Sequence, residues 1–145
     1  MTKEILSKEN IKLNAQFQNK EEAIRYTGDI LVTNGYVQPN YVDKMLEREE
    51  VTSTFMGNFV AIPHGTEDSK GEVIETGISV VIAPEGVDFG DGNTVKILVG
   101  IAGKGDEHLE VLSKIAIVLS EEDNIESLVK SKSKDEIIRI FDEVN

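Results

Sequence analysis

The sequence predicts an α/β fold in which a single mixed β-sheet is flanked by helices on both faces, a three-layer sandwich. Amphipathic helical patterns occupy both ends of the chain, runs rich in β-branched residues lie between them, and those runs are apolar at almost every position. Strands without polar alternation need cover on both faces, so the helices must divide into two layers. At 145 residues the chain has room for one such domain, spanning 1–145, and little for a second.

The elements follow in order. After a short apolar stretch at residues 11–13, Asn19 and Glu22 stand at capping-box spacing, and Ala23, Ile24, Ile30 and Leu31 share one helical face until Asn34-Gly35 ends it. Pro39 suits the first turn of a second helix, which turns Tyr41, Val42, Met45 and Leu46 inward and runs out in Glu47-Arg48-Glu49-Glu50. Arg48 is therefore expected in a last helical turn, beside a loop.

Residues 59–62, 78–82 and 95–102 read as strands, each bounded by glycine, proline or aspartate. Residues 84–93, with Gly86, Asp88, Gly90 and Gly92, read as a loop or irregular hairpin without chemistry of its own. In the last third, Leu109, Leu112, Ile115, Ala116 and Leu119 form one apolar stripe, with Asp106 placed to cap it, and Ile125, Leu128 and Val129 form a shorter one. Ser133 and Glu136 repeat the capping-box spacing before Ile137, Ile140, Phe141 and Val144.

Charge and composition exclude several functions. With 27 acidic residues against 15 basic ones the net charge is -12, which repels nucleic acid and anionic membrane surfaces. The one basic cluster, Lys130, Lys132 and Lys134, is broken by serines and followed by Asp135 and Glu136. Without cysteine there is no thiolate catalysis, disulfide or cysteine metal site. The first ten residues are charged, unlike a signal peptide, and no apolar run approaches the roughly 20 residues that span a bilayer. A cytoplasmic protein with no direct membrane insertion is expected.

The reactive groups are few. His64 follows an apolar strand and Pro63, whose fixed φ stiffens the approach, while Gly65 beside it lacks a side chain and so leaves room for another molecule. His108 lies at a helix start, where partial positive charge disfavours the imidazolium and favours bound anions. Arg48 offers a planar fork of donors suited to phosphate oxygens. Each also has a plain structural reading: a turn histidine, a helix-start histidine bonded to backbone, and an arginine satisfying its own helix's carbonyls.

Other chemistries lack their residues. Two histidines without cysteine or HExxH spacing do not make a hydrolytic zinc site. There is no P-loop, no GxSxG elbow, and "GIAGKG" at residues 100–105 is only a weak likeness of a dinucleotide fingerprint.

Three stretches together are more specific: "MLEREEVTSTFMGNFVAIPHGTED" at residues 45–68, "PEGVDFG" at 84–90 and "GIAGKGDEHLEVLSKIA" at 100–116. In this arginine-glutamate pair, AIPHGT stretch and EHL triplet the chain resembles, over its whole length, the enzyme IIA component of the bacterial sugar phosphotransferase system in its mannitol class. The resemblance implies a phosphoryl relay in which the phosphocarrier protein HPr phosphorylates His64, and the group passes on to a cysteine of the IIB domain of the mannitol permease. It implies His108 as the second active-site histidine and Arg48 as the phosphate-stabilising arginine. Some family members carry a carboxylate where this chain has Asn58, and that group's role is not carried over.

Phosphoryl transfer through a loose transition state asks the protein for alignment and charge stabilisation. Nε2 of a neutral His64 is the expected nucleophile, its other ring nitrogen held by a backbone acceptor. Arg48, His108 and groups of Gly65 and Thr66 are expected around the transferred phosphate, with no metal or other cofactor. A fructose-class component, or a regulatory module whose phosphohistidine controls a transcription factor or other target, remain as alternatives.

Overall fold

The structure, a computed structural model, describes residues 4–144. Five strands form one mixed sheet: β1 Ile11–Lys12, β2 Phe55–Gly57, β3 Val60–Ala61, β4 Gly77–Asp88 and β5 Thr94–Ala102. Their order is β1-β4-β5-β3-β2, with β1 parallel to β4, β4 antiparallel to β5, β5 parallel to β3, and β3 antiparallel to β2. Helices α1 Lys20–Thr33 and α2 Asn40–Val51 cover one face, and α3 Glu107–Leu119, α4 Glu122–Lys130 and α5 Lys134–Ile140 cover the other. The expected sandwich is present.

Residue period explains the two layers. Along the central strands Val80, Ile82, Ile97 and Val99 join the core under α3, α4 and α5, whereas Val81, Ala83 and Leu98 join the core under α1 and α2. The helix caps read from the sequence are made: Asn19 Oδ1 accepts from the Glu22 amide at 2.8 Å, and Ser133 Oγ from the Glu136 amide at 3.3 Å.

Of the two readings of residues 84–93 the irregular hairpin is the one present, and three other expectations change. In the hairpin β4 continues to Asp88 and only the tip turns back, with Phe89 N–H donating to the Asn93 carbonyl at 2.8 Å. A register shift between Ile82 and Val87 accommodates Pro84, which has no ladder donor. The strand at 59–62 shrinks to Val60–Ala61, because Asn58 and Phe59, at φ 51° and 68°, form the two-residue turn joining β2 to β3. Asn58 is suited to that conformation; Phe59 is strained in it and is held by Lys96 and Ile97 amides on its carbonyl at 2.8 and 3.0 Å.

Asp106 has helical angles, φ -85° and ψ -3°, and its side chain caps nothing. Finally, the α3 stripe is rotated from the expected one: Val111, Ile115, Val118 and Leu119 are buried, while Leu109 is 71% exposed. Ile115→Ala should therefore cost about 2–5 kcal/mol of unfolding free energy. Leu109→Ala should stay within about 0.5 kcal/mol of the parent in the same urea titration.

Candidate functional site

The ends of β3 and β5 meet where the chain leaves the sheet. Pro63 cannot donate to a ladder, so β3 stops, yet the Pro63 carbonyl still accepts from the Ile101 amide at 2.9 Å and His64 bridges to Ile101 in parallel. His64 is thus fixed to a central strand at its carboxyl end. There its Nδ1 lies 2.8 Å from the carbonyl oxygen of Ile62. A carbonyl only accepts, so Nδ1 carries the hydrogen, and in the neutral ring the lone pair resides on Nε2.

Around His64 lies an open depression of about 320 Å³ whose walls include Arg48, Gly65, Thr66, Lys70 and His108. His64, Arg48, Gly65, Thr66 and His108, the five residues singled out from the sequence, therefore line one opening. The His64 and His108 rings have centroids 5.3 Å apart and are tilted by 52°, neighbouring but not stacked. His108 reaches this place because Gly103 has no side chain; a Cβ there would run into the backbone of His108 at Cα and N.

Arg48 combines its two readings. Nη1 donates to the Thr52 carbonyl just beyond α2, at 2.7 Å, while the residue also lines the depression. One donor of the guanidinium fork is spent on orientation, and others are left for an anion.

Gly65 and Thr66 are arranged differently from expectation. The Gly65 amide donates to the Tyr41 hydroxyl at 2.9 Å, and that hydroxyl donates to the Ile101 carbonyl at 2.7 Å. A Cβ on Gly65 would collide with the Tyr41 ring and the Ser69 hydroxyl, so the missing side chain makes space for α2 and not for a visiting molecule. The Thr66 hydroxyl donates to Asp68, whereas its amide meets no acceptor among the described residues. Tyr41 was not singled out from the sequence, where it reads only as an apolar helix position. Burial pushes its phenol up to about 12, so it stays protonated and braces α2 against both β5 and the His64 loop.

Both imidazoles favour the neutral form. Burial lowers the His64 pKa from the ordinary histidine value; the Ile62 carbonyl opposes this, Arg48 adds to it and Glu49 opposes it. His108 is lowered chiefly by burial, then by His64 and Lys70, with Glu67 acting the other way. A half-buried neutral nucleophile beside an arginine fork and a second imidazole can accept and hold a phosphoryl group.

Known proteins similar to this chain are phosphotransferase components. Residues 4–144 match the family described as phosphoenolpyruvate-dependent sugar phosphotransferase system, EIIA 2. The chain is 61% identical over 145 residues to the mannitol-specific phosphotransferase enzyme IIA component of Geobacillus stearothermophilus, covering 100% of each. To that of Bacillus subtilis (strain 168) it is 58% identical over 142 residues, covering 98% of this chain and 99% of the relative. The Escherichia coli enzyme IIA mannitol, solved in complex with phosphorylated enzyme IIB mannitol, superimposes with a TM-score of 0.90 at 39% identity, covering 95% of this chain and 97% of that one.

The lowered histidine pKa values make stability depend on pH. In the unfolded chain both histidines bind protons below about 6.5, before the folded chain does, so unfolding is favoured as pH falls through that value towards the folded midpoints. Above about 6.5 both states are neutral and the effect vanishes. A chain carrying His64→Gln and His108→Gln should show a flatter acid limb than the parent when unfolding free energy is measured by urea titration across this range.

Proposed function

The chain belongs to the EIIA 2 family of the phosphoenolpyruvate-dependent sugar phosphotransferase system, and from that premise we propose that His64 is the residue on which it carries the phosphoryl group. It is a phosphoryl-relay component of the mannitol-specific IIA type, passing phosphate to a IIB partner in mannitol uptake. The observation that supports His64 above all is its Nδ1 contact with the Ile62 carbonyl, which leaves Nε2 as the free nucleophile in a depression shared with Arg48 and His108.

The donor is phospho-HPr. Nε2 of His64 attacks phosphorus in line; the Nε2–P bond forms as the bond from phosphorus to the donor breaks, and the donor atom keeps the electron pair. In the second step a cysteine thiolate of IIB attacks the same phosphorus, and Nε2 recovers its pair. Charge spreads over the three equatorial oxygens in each transition state. Arg48, His108 and the Thr66 amide are the donors for those oxygens, already oriented before the partner arrives. Gly65 contributes through its bond to Tyr41, which holds the loop still.

Docking requires a surface that is apolar at the centre and brief in its hold. Val51 at the rim of the depression is 75% exposed, and Leu109, next to His108, is 71% exposed. With a net charge of -12, the chain steers toward a basic partner surface. Among the described residues no helix is long and apolar enough to cross a membrane, and the reading places the relay in the cytoplasm.

The test mixes the chain with phosphoenolpyruvate, enzyme I and HPr and looks for an acid-labile, base-stable phosphate. His64→Ala should take up none; label on that variant refutes the assignment. Arg48→Ala should slow transfer roughly 100-fold and Arg48→Lys should not restore it, because an ammonium lacks the fork. The rate from HPr should fall as added salt shortens the screening length below about 8 Å, and a salt-independent rate would refute the steering.

A further inference from the structure

We propose that Glu49 is a positioning residue for phosphoryl transfer: from the last turn of α2 it fixes the backbone segment that holds the His64 ring. This rests on His64 being the phosphoacceptor.

Glu49 is out of place as a surface acid. It is only 5% exposed, whereas its neighbours Arg48 and Glu50 are half-buried and exposed. Oε1 accepts two hydrogen bonds from Thr54, from the amide at 2.9 Å and from Oγ1 at 2.6 Å. Oε2 is buried without a hydrogen bond, with Lys20 Nζ at 3.7 Å, within ion-pair range but too far to donate. Burying a carboxylate so incompletely satisfied costs folding free energy that a neutral side chain would not.

The residue it grips leads to the reactive ring by two more contacts. The Thr54 carbonyl accepts from the Ile62 amide at 3.1 Å, and the Ile62 carbonyl accepts from His64 Nδ1 at 2.8 Å. Thr54 immediately precedes the edge strand β2, which meets β3 through a register irregularity, so strand pairing alone leaves its position loose. The Glu49 carboxylate supplies the missing anchor. By holding Thr54 it holds Ile62, and by holding Ile62 it selects the His64 tautomer with the pair on Nε2.

The charge has a separate use. The titratable groups around His64 are Tyr41, Arg48 and Glu49 from α2, His108 from α3, and Glu67 and Lys70 from the segment after Thr66. Burial and Arg48 lower the proton affinity of the ring, and Glu49 is the carboxylate that opposes them. A more basic nitrogen is a better nucleophile, so a neutral residue at 49 weakens the attack even where the hydrogen bonds survive.

The test uses the full chain labelled with ¹⁵N, reading the His64 tautomer and titration midpoint from long-range proton–nitrogen correlations, alongside single-turnover acceptance from phospho-HPr. Glu49→Gln keeps an acceptor oxygen for Thr54 and removes the charge. It should retain the Nδ1–H tautomer, titrate at lower pH than the parent, and transfer roughly tenfold more slowly at saturating HPr with an unchanged KM. Glu49→Ala should mix the tautomers and be slower again, which makes the glutamine variant a partial rescue.

Should the alanine chain fail to fold, the glutamine chain decides alone. A folded Glu49→Gln chain with the parent's midpoint and rate overturns the role of Glu49. Phosphate found on a residue other than His64 refutes instead the reading beneath it, and the tautomer and midpoint report on the Glu49 contacts in either case.

Discussion

The contact between His64 Nδ1 and the Ile62 carbonyl, 2.8 Å long, sets the chemistry of the ring it holds. It decides which nitrogen is protonated, and hence which one faces outward with a lone pair. The contact spans only two residues, but it exists because Ile62 and His64 are both tied down from outside: Ile62 by Thr54, His64 by its bridge to Ile101 on the central strand β5. The sheet, with its two apolar layers, is the rigid body against which one imidazole is oriented. Tyr41 adds the second tie by joining α2 to Ile101 and to the loop that follows His64.

The site gathers cations on a chain that is acidic. The net charge is -12, while Arg48 and Lys70 stand with Glu67 and two neutral imidazoles at one opening. On the proposed assignment the backbone offers a phosphate little beyond the Thr66 amide, because the Gly65 amide is already spent on Tyr41. This has a physical logic: a ring of committed amides would hold phosphate tightly, and a relay must also let it go.

The legible part of the sequence was the part governed by local period and capping. Asn19, Ser133 and the runs in β4 and β5 each announce themselves within a few residues, and the sandwich follows from them. Turn chemistry was only half legible. The Gly and Pro signals in 84–93 fit a loop and an irregular hairpin alike, because a strand with a bulge carries the same residues, and Phe59 looked like strand because its positive φ is imposed by the hairpin and not by its type. Leu109 fits the α3 stripe by spacing, but the helix is rotated so that Val111 and Val118 face the core. At the site, His64, His108 and Arg48 were recognisable as a set through the family's motifs. Gly65 was seen but its reason was not, since the obstruction it avoids is a tyrosine 24 residues away. Glu49 was visible only as half of the arginine-glutamate pair and Tyr41 only as an apolar helix position, because what each does lies in contacts made only after folding.

His64 lines an open depression of about 320 Å³. On the proposal that His64 carries the phosphoryl group, donor and acceptor must each reach the same nitrogen, so the two exclude each other. Turnover then proceeds by substituted-enzyme kinetics, with parallel double-reciprocal lines, and each partner inhibits the other's half-reaction when in excess. Flux through such a carrier is greatest at an intermediate ratio of the two partners, so their relative abundance in the cell acts as a throttle on sugar entry without any dedicated regulatory site.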